Sequence, residues 1–169
     1  MSYALLFQVS YAPSPMPYVA LAVAAGTGAV VYLRYRRHRS EALRLLANKL
    51  GLLWLGTMLP SDFPRRLLDD LYTGWAVPRW SSPHNIIGGK VGEDFLLAFD
   101  MTVAKGDARY QRTVVARRSP TAKARANFAR GYVYRCLGEW HIATLESAIL
   151  ASPRVIEPGT IEKLWEQLR

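Results

Sequence analysis

The hydropathy pattern of the N-terminal part is dominated by one long apolar stretch, residues 18–33, which follows Pro17 and extends to Tyr35. No charged residue precedes Arg34. At a rise of about 1.5 Å per residue, roughly 18 helical residues reach the 27–30 Å of a bilayer's hydrocarbon core. The stretch therefore predicts a single transmembrane helix over residues 17–35, preceded by a short extracytoplasmic segment, residues 1–16.

A cluster of bases follows the apolar stretch directly and consists of Arg34, Arg36, Arg37 and Arg39. Basic residues collect on the cytoplasmic side of a membrane segment, where they meet anionic lipid headgroups. A cleaved signal peptide carries its positive charge before the apolar run, and a buried helix of a soluble protein is the other alternative. We expect an uncleaved anchor in a bacterial inner membrane, with the N-terminus outside and residues 36–169 in the cytoplasm.

The predicted membrane helix is rich in alanine and glycine and poor in leucine. Ala20, Ala24 and Gly28 recur every four residues, which places them on one face of the helix. Small residues at this spacing let two helix backbones approach closely in lipid. We expect this face to pack against a transmembrane helix of another subunit; the alternative is a plain anchor without a packing face.

The chain after the bases begins with a second helical pattern. Ser40 is a candidate N-cap for a helix that ends at Leu50, and Gly51 suits the left-handed conformation that follows a helix. The apolar run at residues 52–55 is a short strand or a single helical turn.

Two further helices are expected at other places in the chain. One starts at Ser61 or Asp62 and ends at Gly74, and another starts with Thr160 as its cap. Their apolar positions fall on one face each, and these are Phe63, Leu67, Leu68 and Leu71 in the first, and Ile161, Leu164, Trp165 and Leu168 in the second.

Strand patterns occupy most of the region between these two helices. Alternating apolar positions and turn residues predict strands at 85–91, 95–103, 110–115, 132–134, 140–145 and 148–150. The last two could pair with each other around residues 146–147. Strands grouped between helices predict an α+β fold, a single small domain with an antiparallel sheet and flanking helices.

The composition indicates a folded, basic protein. Of 169 residues, 50% are hydrophobic, and 22 Lys and Arg stand against 13 Asp and Glu, a formal net charge of +9. This apolar content excludes a disordered chain, and the single cysteine, Cys136, excludes an internal disulfide and a cysteine-built metal site.

The basic residues concentrate between Ala108 and Gly138, where no acid occurs. Nucleic acid is the general partner for such a stretch, but a protein held at a membrane meets anionic headgroups first. We therefore expect no nucleic acid partner. The residues expected to contact the membrane surface or another subunit are Arg117, Arg118, Lys123 and Arg125.

Candidate catalytic groups are few. The three histidines lack the spacing of a metal site, and Gly88-Gly89-Lys90 lacks the other residues of a phosphate loop. Cys136 is more typical of a small packed residue than of a nucleophile. We expect no catalytic residue, no cofactor, no metal and no small-molecule substrate.

Several segments resemble those of uncharacterised bacterial one-pass membrane-anchored proteins with a cytoplasmic α+β domain. They are LGLLWL, NIIGGKVGEDFLLAFDMTV, RTVVARRS and EWHIATLESAILASPRVIEPGTIEKLW. The resemblance implies a fold and a location and carries no chemistry. It also implies more strand between residues 119 and 131, where this chain has a short basic link.

Together these patterns predict a non-catalytic accessory or structural subunit of a larger inner-membrane complex. Small one-pass subunits are common in energy-converting complexes, so a photosynthetic or respiratory assembly is the expected host. The alternative is a free-standing membrane-tethered adaptor or sensor domain that binds a soluble partner.

Overall fold

The computed structural model describes residues 16–71, 82–121, 131–145 and 155–168, and the chain divides into two compact units, Met1–Arg39 and Ser40–Arg169. The elements of the described residues, in chain order, are α1 (Met16–Leu50), β1 (Leu53–Gly56), α2 (Arg66–Leu71), β2 (His84–Val91), β3 (Asp94–Lys105), β4 (Ala108–Arg118), β5 (Tyr132–Leu137), β6 (Trp140–Leu145) and α3 (Pro158–Gln167).

Helix α1 runs without a break through the position at which the sequence predicts a second helix to begin. Ser40 lies inside this helix, so its predicted role as an N-cap is wrong; a continuous helix has no free backbone N–H groups there to cap. The Ser40 hydroxyl instead donates a 2.7 Å hydrogen bond to Oδ1 of Asn85. The predicted end is confirmed, since Gly51 follows Leu50 with a left-handed φ of +67°.

The six strands form one antiparallel sheet in the order β1-β2-β3-β4-β6-β5. Strands β3 and β4 form its centre and pair continuously from Phe95 and Arg118 to Lys105 and Ala108. Strand β6 pairs with β4 and β5 in the described residues, whereas its predicted partner, residues 148–150, lies outside them. The α+β prediction with an antiparallel sheet is confirmed.

Both faces of the sheet are covered, because successive side chains of a strand point to opposite faces. Leu97 and Phe99 of β3 face α2, and the Phe99 and Trp140 rings meet the Phe63 ring edge to face, with ring centres 5.6 and 5.1 Å from its centre. Ala98 of the same strand faces the opposite core, which is built from residues 43–52 and helix α3. The central strands are therefore apolar on both sides.

The two shorter helices bury the predicted faces. Helix α2 begins only at Arg66, after residues 61–65 form turns, so its predicted start at Ser61 or Asp62 is wrong and Phe63 lies buried before the helix. Within the helix Leu67, Leu68 and Leu71 are buried, and the predicted end at Gly74 lies outside the described residues. Helix α3 begins at Pro158 after Glu157, so Thr160 is not its cap; a proline at the first positions needs no hydrogen bond from its missing N–H. The predicted stripe of α3 is confirmed, with Ile161, Leu164, Trp165 and Leu168 all buried.

The glycine pair of β2 lies at a close approach of three strands. A Cβ added to Gly88 would stand 3.0 Å from the carbonyl oxygen of Leu96, and one added to Gly89 would stand 3.2 Å from Cδ2 of Leu52. The Gly-Gly-Lys sequence therefore lies within a strand, not at the strand-to-helix turn of a phosphate loop.

Candidate functional site

The N-terminal part of α1 leaves its apolar side chains uncovered. None of its most apolar 18-residue window is buried, and its large apolar residues are exposed to between 43% at Tyr35 and 75% at Met16. By length and composition this helix could cross a membrane. Full exposure distinguishes it from the core helix of a soluble protein, which would be mostly buried.

The predicted packing face of this helix is also uncovered. Ala20, Ala24 and Gly28 are exposed, and a Cβ added to Gly28 would meet nothing within 4 Å. One polar group within the apolar part is satisfied locally, since the Thr27 hydroxyl donates a 2.9 Å hydrogen bond to the carbonyl of Val23. This face is therefore accessible to a partner helix.

The arginines after the apolar stretch do not form a uniform group. Arg34, Arg36 and Arg37 are exposed, whereas Arg39 is only 7% exposed. The Arg36 guanidinium lies 5.8 Å from the centre of the Tyr32 ring, one helical turn earlier. The expected exposed contact is therefore wrong for Arg39, while the headgroup contacts of Arg34, Arg36 and Arg37 stay predictions.

Arg117 departs most clearly from its prediction, because its side chain is buried. The guanidinium forms an ion pair with Asp94 at the start of β3, and Nη1 donates a 3.2 Å hydrogen bond to the carbonyl of Trp165. Only 6% of the residue is exposed, so the expected exposed contact is wrong for Arg117. Arg117 lies near the end of β4, and its side chain points toward α3.

Arg118, on the opposite face of β4, keeps a partly exposed side chain. It pairs with Asp62, and its guanidinium lies 5.7 and 5.8 Å from the ring centres of Phe95 and Trp140. Its contact with a membrane or a partner stays a prediction. Lys123 and Arg125 lie outside the described residues.

A polar network crosses the buried centre of the Ser40–Arg169 unit. The Asp100 carboxylate, 1% exposed, accepts hydrogen bonds from the Thr113 hydroxyl at 2.6 Å and from Nδ2 of Asn85 at 3.1 Å. Asn85 in turn accepts the hydrogen bond from Ser40. This network joins α1, β2, β3 and β4 through side-chain hydrogen bonds. The buried Asp100 carboxylate accepts hydrogen bonds from two of its members, as buried polar groups require.

The buried side chain of His141 contacts a tyrosine. Nδ1 of His141 lies 2.6 Å from the Tyr134 hydroxyl, and the two rings stack at 6.0 Å. Within the described ranges, no three His, Cys, Asp or Glu side chains come together in a way that could hold a metal ion.

An open cavity of about 320 Å³ lies between the end of the Ser40–Leu50 helical segment, the β2–β3 turn and α3. Its apolar wall comes from Leu50, Val91, Leu96 and Trp165. Trp165 is held in place because its indole N–H donates to the carbonyls of Leu97 and Ala116, at 3.2 and 3.0 Å. The volume lies at the lower end of the range of ligand pockets.

The charged residues around this cavity are Asp94, Arg117, Glu162 and Glu166. Two of the acids already have basic partners: Asp94 pairs with Arg117, and Glu162 accepts from Nζ of Lys49 at 2.8 and 3.1 Å. Sequence reasoning did not find this site, because its residues come from four separated segments. The one local signal is that Glu162 and Glu166, four residues apart, share a face of α3.

We found no protein-family model, no curated protein and no solved structure that matches this chain. The resemblance to one-pass membrane-anchored proteins therefore stays a prediction.

Proposed function

We propose that this chain is a membrane-anchored, non-catalytic accessory subunit of a larger complex in the bacterial inner membrane. The observation that carries the proposal is the uncovered apolar surface of α1. An apolar surface of this length is not left in water by a soluble monomer, so lipid or another protein covers it. The proposed orientation, with the N-terminus outside and the basic domain in the cytoplasm, follows from the arginines after the span.

The proposed docking element is the face formed by Ala20, Ala24 and Gly28. Hydrophobic burial does not drive helix association in lipid, and close backbone approach through small residues replaces it. Exposed arginines after the span add attraction to anionic headgroups, each contributing about 1 kcal/mol near the surface. On this proposal the complex is an energy-converting assembly, photosynthetic or respiratory.

A helix exchange tests the proposal and separates membrane attachment from docking. Residues 17–33 are replaced by a leucine-rich apolar helix of the same length, with the following arginines kept. Both proteins should stay in membranes after an alkaline carbonate wash. Only the native helix should then co-migrate with a large complex on native gels after mild detergent extraction. Release of the native protein by carbonate, or co-migration of both proteins, contradicts the proposal.

The second candidate is a membrane-tethered adaptor or sensor domain, and the cavity beside α3 favours it. An accessory subunit needs no open cavity of about 320 Å³ in its soluble part, whereas a sensor does. Migration of the extracted native protein as a monomer would favour this function.

A further inference from the structure

The cavity beside α3 has charges that select the kind of molecule it can hold. Arg117 supplies the positive charge of its wall, but this guanidinium is already engaged by the Asp94 carboxylate and the Trp165 carbonyl. An anionic ligand would have to displace Asp94 from a partly buried ion pair and leave the buried Arg117 guanidinium to be paired again, which is costly. Among the described residues that line it, the wall therefore offers no unengaged cation to an anion.

Of the described charged residues that line this cavity, Glu166 is the one without an ion-pair partner in the described residues. Among the residues described, no basic side chain pairs with it, while Lys49 occupies both carboxylate oxygens of Glu162. Glu166 also lies in the last turn of α3, which has no basic residue. The helix dipole is negative at that end and favours a cation there, so the position of Glu166 is electrostatically unfavourable without one.

The remaining wall is apolar and large enough for an organic group. Leu50, Leu96 and Val91 line it, and Trp165 closes its inner side with only 3% of its surface exposed. An engineered apolar cavity of about 150 Å³ already holds benzene. A body somewhat larger than one aromatic ring fits the space.

We propose that this cavity binds a small organic cation, a primary ammonium on an apolar body, with its charge beside Glu166 and its body against Leu50, Leu96 and Val91. A negatively charged rim is opposite in sign to the net charge of +9 of the whole chain, so it attracts a cation that the rest of the surface repels. The site lies within the Ser40–Arg169 unit, and its binding does not depend on the proposed anchor.

The test measures binding of three probes of one size to the full chain in phosphatidylcholine nanodiscs by titration calorimetry. The probes are phenethylammonium, the neutral 2-phenylethanol and the anionic phenylacetate, and empty nanodiscs correct for partition into lipid. We expect saturable binding of phenethylammonium at millimolar concentration or below, weaker binding of the alcohol and weakest binding of the anion.

Two variants and one control locate the site. Glu166→Gln removes the charge of an exposed residue and should weaken phenethylammonium about two- to fivefold, with 2-phenylethanol unchanged, since exposed charge pairs are worth up to about a factor of five. Val91→Trp fills the mouth of the cavity and should abolish binding of both probes. Glu157→Gln makes the same charge change at the other end of α3, about 14 Å away along the helix axis, and should leave both affinities unchanged.

Several results overturn the proposal. They are no saturable binding of phenethylammonium at millimolar concentration, equal affinity of the ammonium and the alcohol, tighter binding of phenylacetate, or equal effects of Glu166→Gln and Glu157→Gln. None of these results bears on membrane attachment, so failure here and failure of the proposed anchor are distinguishable.

Discussion

Thr113 and Asp100 are direct partners in the β3–β4 ladder, and the hydroxyl of Thr113 donates a 2.6 Å hydrogen bond to the Asp100 carboxylate. Both residues are 1% exposed. The same hydroxyl oxygen accepts a hydrogen bond from the backbone N–H of Ile156 at 3.1 Å. One side chain thus joins the centre of the sheet to the segment that leads into α3.

Replacing Thr113 by valine keeps the shape and removes both hydrogen bonds. A buried carboxylate loses a donor and a buried N–H loses an acceptor, so Thr113→Val should cost about 2–4 kcal/mol of unfolding free energy. Thr102→Val is the matched control, because the Thr102 hydroxyl accepts from Gln111 at a half-buried site and should cost about 1 kcal/mol. Urea unfolding of the full chain measures both, and equal costs would contradict the importance of the Asp100 network.

Arg117 and Arg118 are adjacent in sequence, and the structure predicts different costs for losing them. Arg117→Met leaves Asp94, whose side chain is 20% exposed, without its cation and should cost about 2–4 kcal/mol. Arg118→Met breaks a pair whose side chains are 39% and 47% exposed, so its loss should stay near 1 kcal/mol or below. Similar unfolding midpoints for the two variants would contradict a stabilising role for the Arg117–Asp94 ion pair.

The chain's only cysteine, Cys136, is exposed on β5, so its expected packed position is wrong and its labelling can report the orientation. A membrane-impermeant maleimide should leave it unlabelled in intact spheroplasts and label it after permeabilisation. Neutralising Arg34, Arg36 and Arg37 should increase labelling in intact spheroplasts, because the bias that holds the domain inside is weakened. Arg39 is left unchanged because it is buried. Labelling of the native protein in intact spheroplasts would reverse the proposed orientation.

The packing face of α1 can be tested by placing leucine at single positions on two faces of the helix. Ala24→Leu or Gly28→Leu should reduce co-migration with the complex, because a bulky side chain separates helix backbones that pack closely. A Cβ added at Gly28 meets nothing within 4 Å among the described residues outside the helix's own nearby backbone, so we attribute a loss of co-migration to contact with a partner. Val23→Leu and Val30→Leu, on another face, are the controls on native gels, and equal effects at all four positions would indicate a plain anchor.

The sequence predicts the elements of this fold well wherever apolar periodicity is strong. The apolar stretch of α1, the central strands and the buried stripe of α3 all appear. It predicts boundaries poorly where polar residues continue an element. Strand β4 extends to Arg118, but its last positions are charged and interrupt the apolar pattern that predicts a strand. In the same way, the arginines before Ser40 interrupt the apolar pattern of α1, although α1 is one helix.

The burial of Arg117 and the cavity could not be predicted in the same way. In the sequence Arg117 is one of several basic residues in a stretch without acids. Its burial follows from the sheet register, which places it opposite the start of β3, and from its contact with α3. The cavity likewise depends on four segments meeting in space. Pairings over such sequence distances are set by the tertiary fold, and hydrophobic periodicity carries no information about them.

Trp165 and Arg117 together make the C-terminal helix part of the sheet's cooperative unit. Detaching α3 would remove the indole N–H from the Leu97 and Ala116 carbonyls and the Trp165 carbonyl from Arg117, all in buried surroundings. Helix ends usually fray at little cost in free energy. Here the amide protons of α3 should exchange with solvent as slowly as those of β3 and β4, since opening the last turns requires opening the centre.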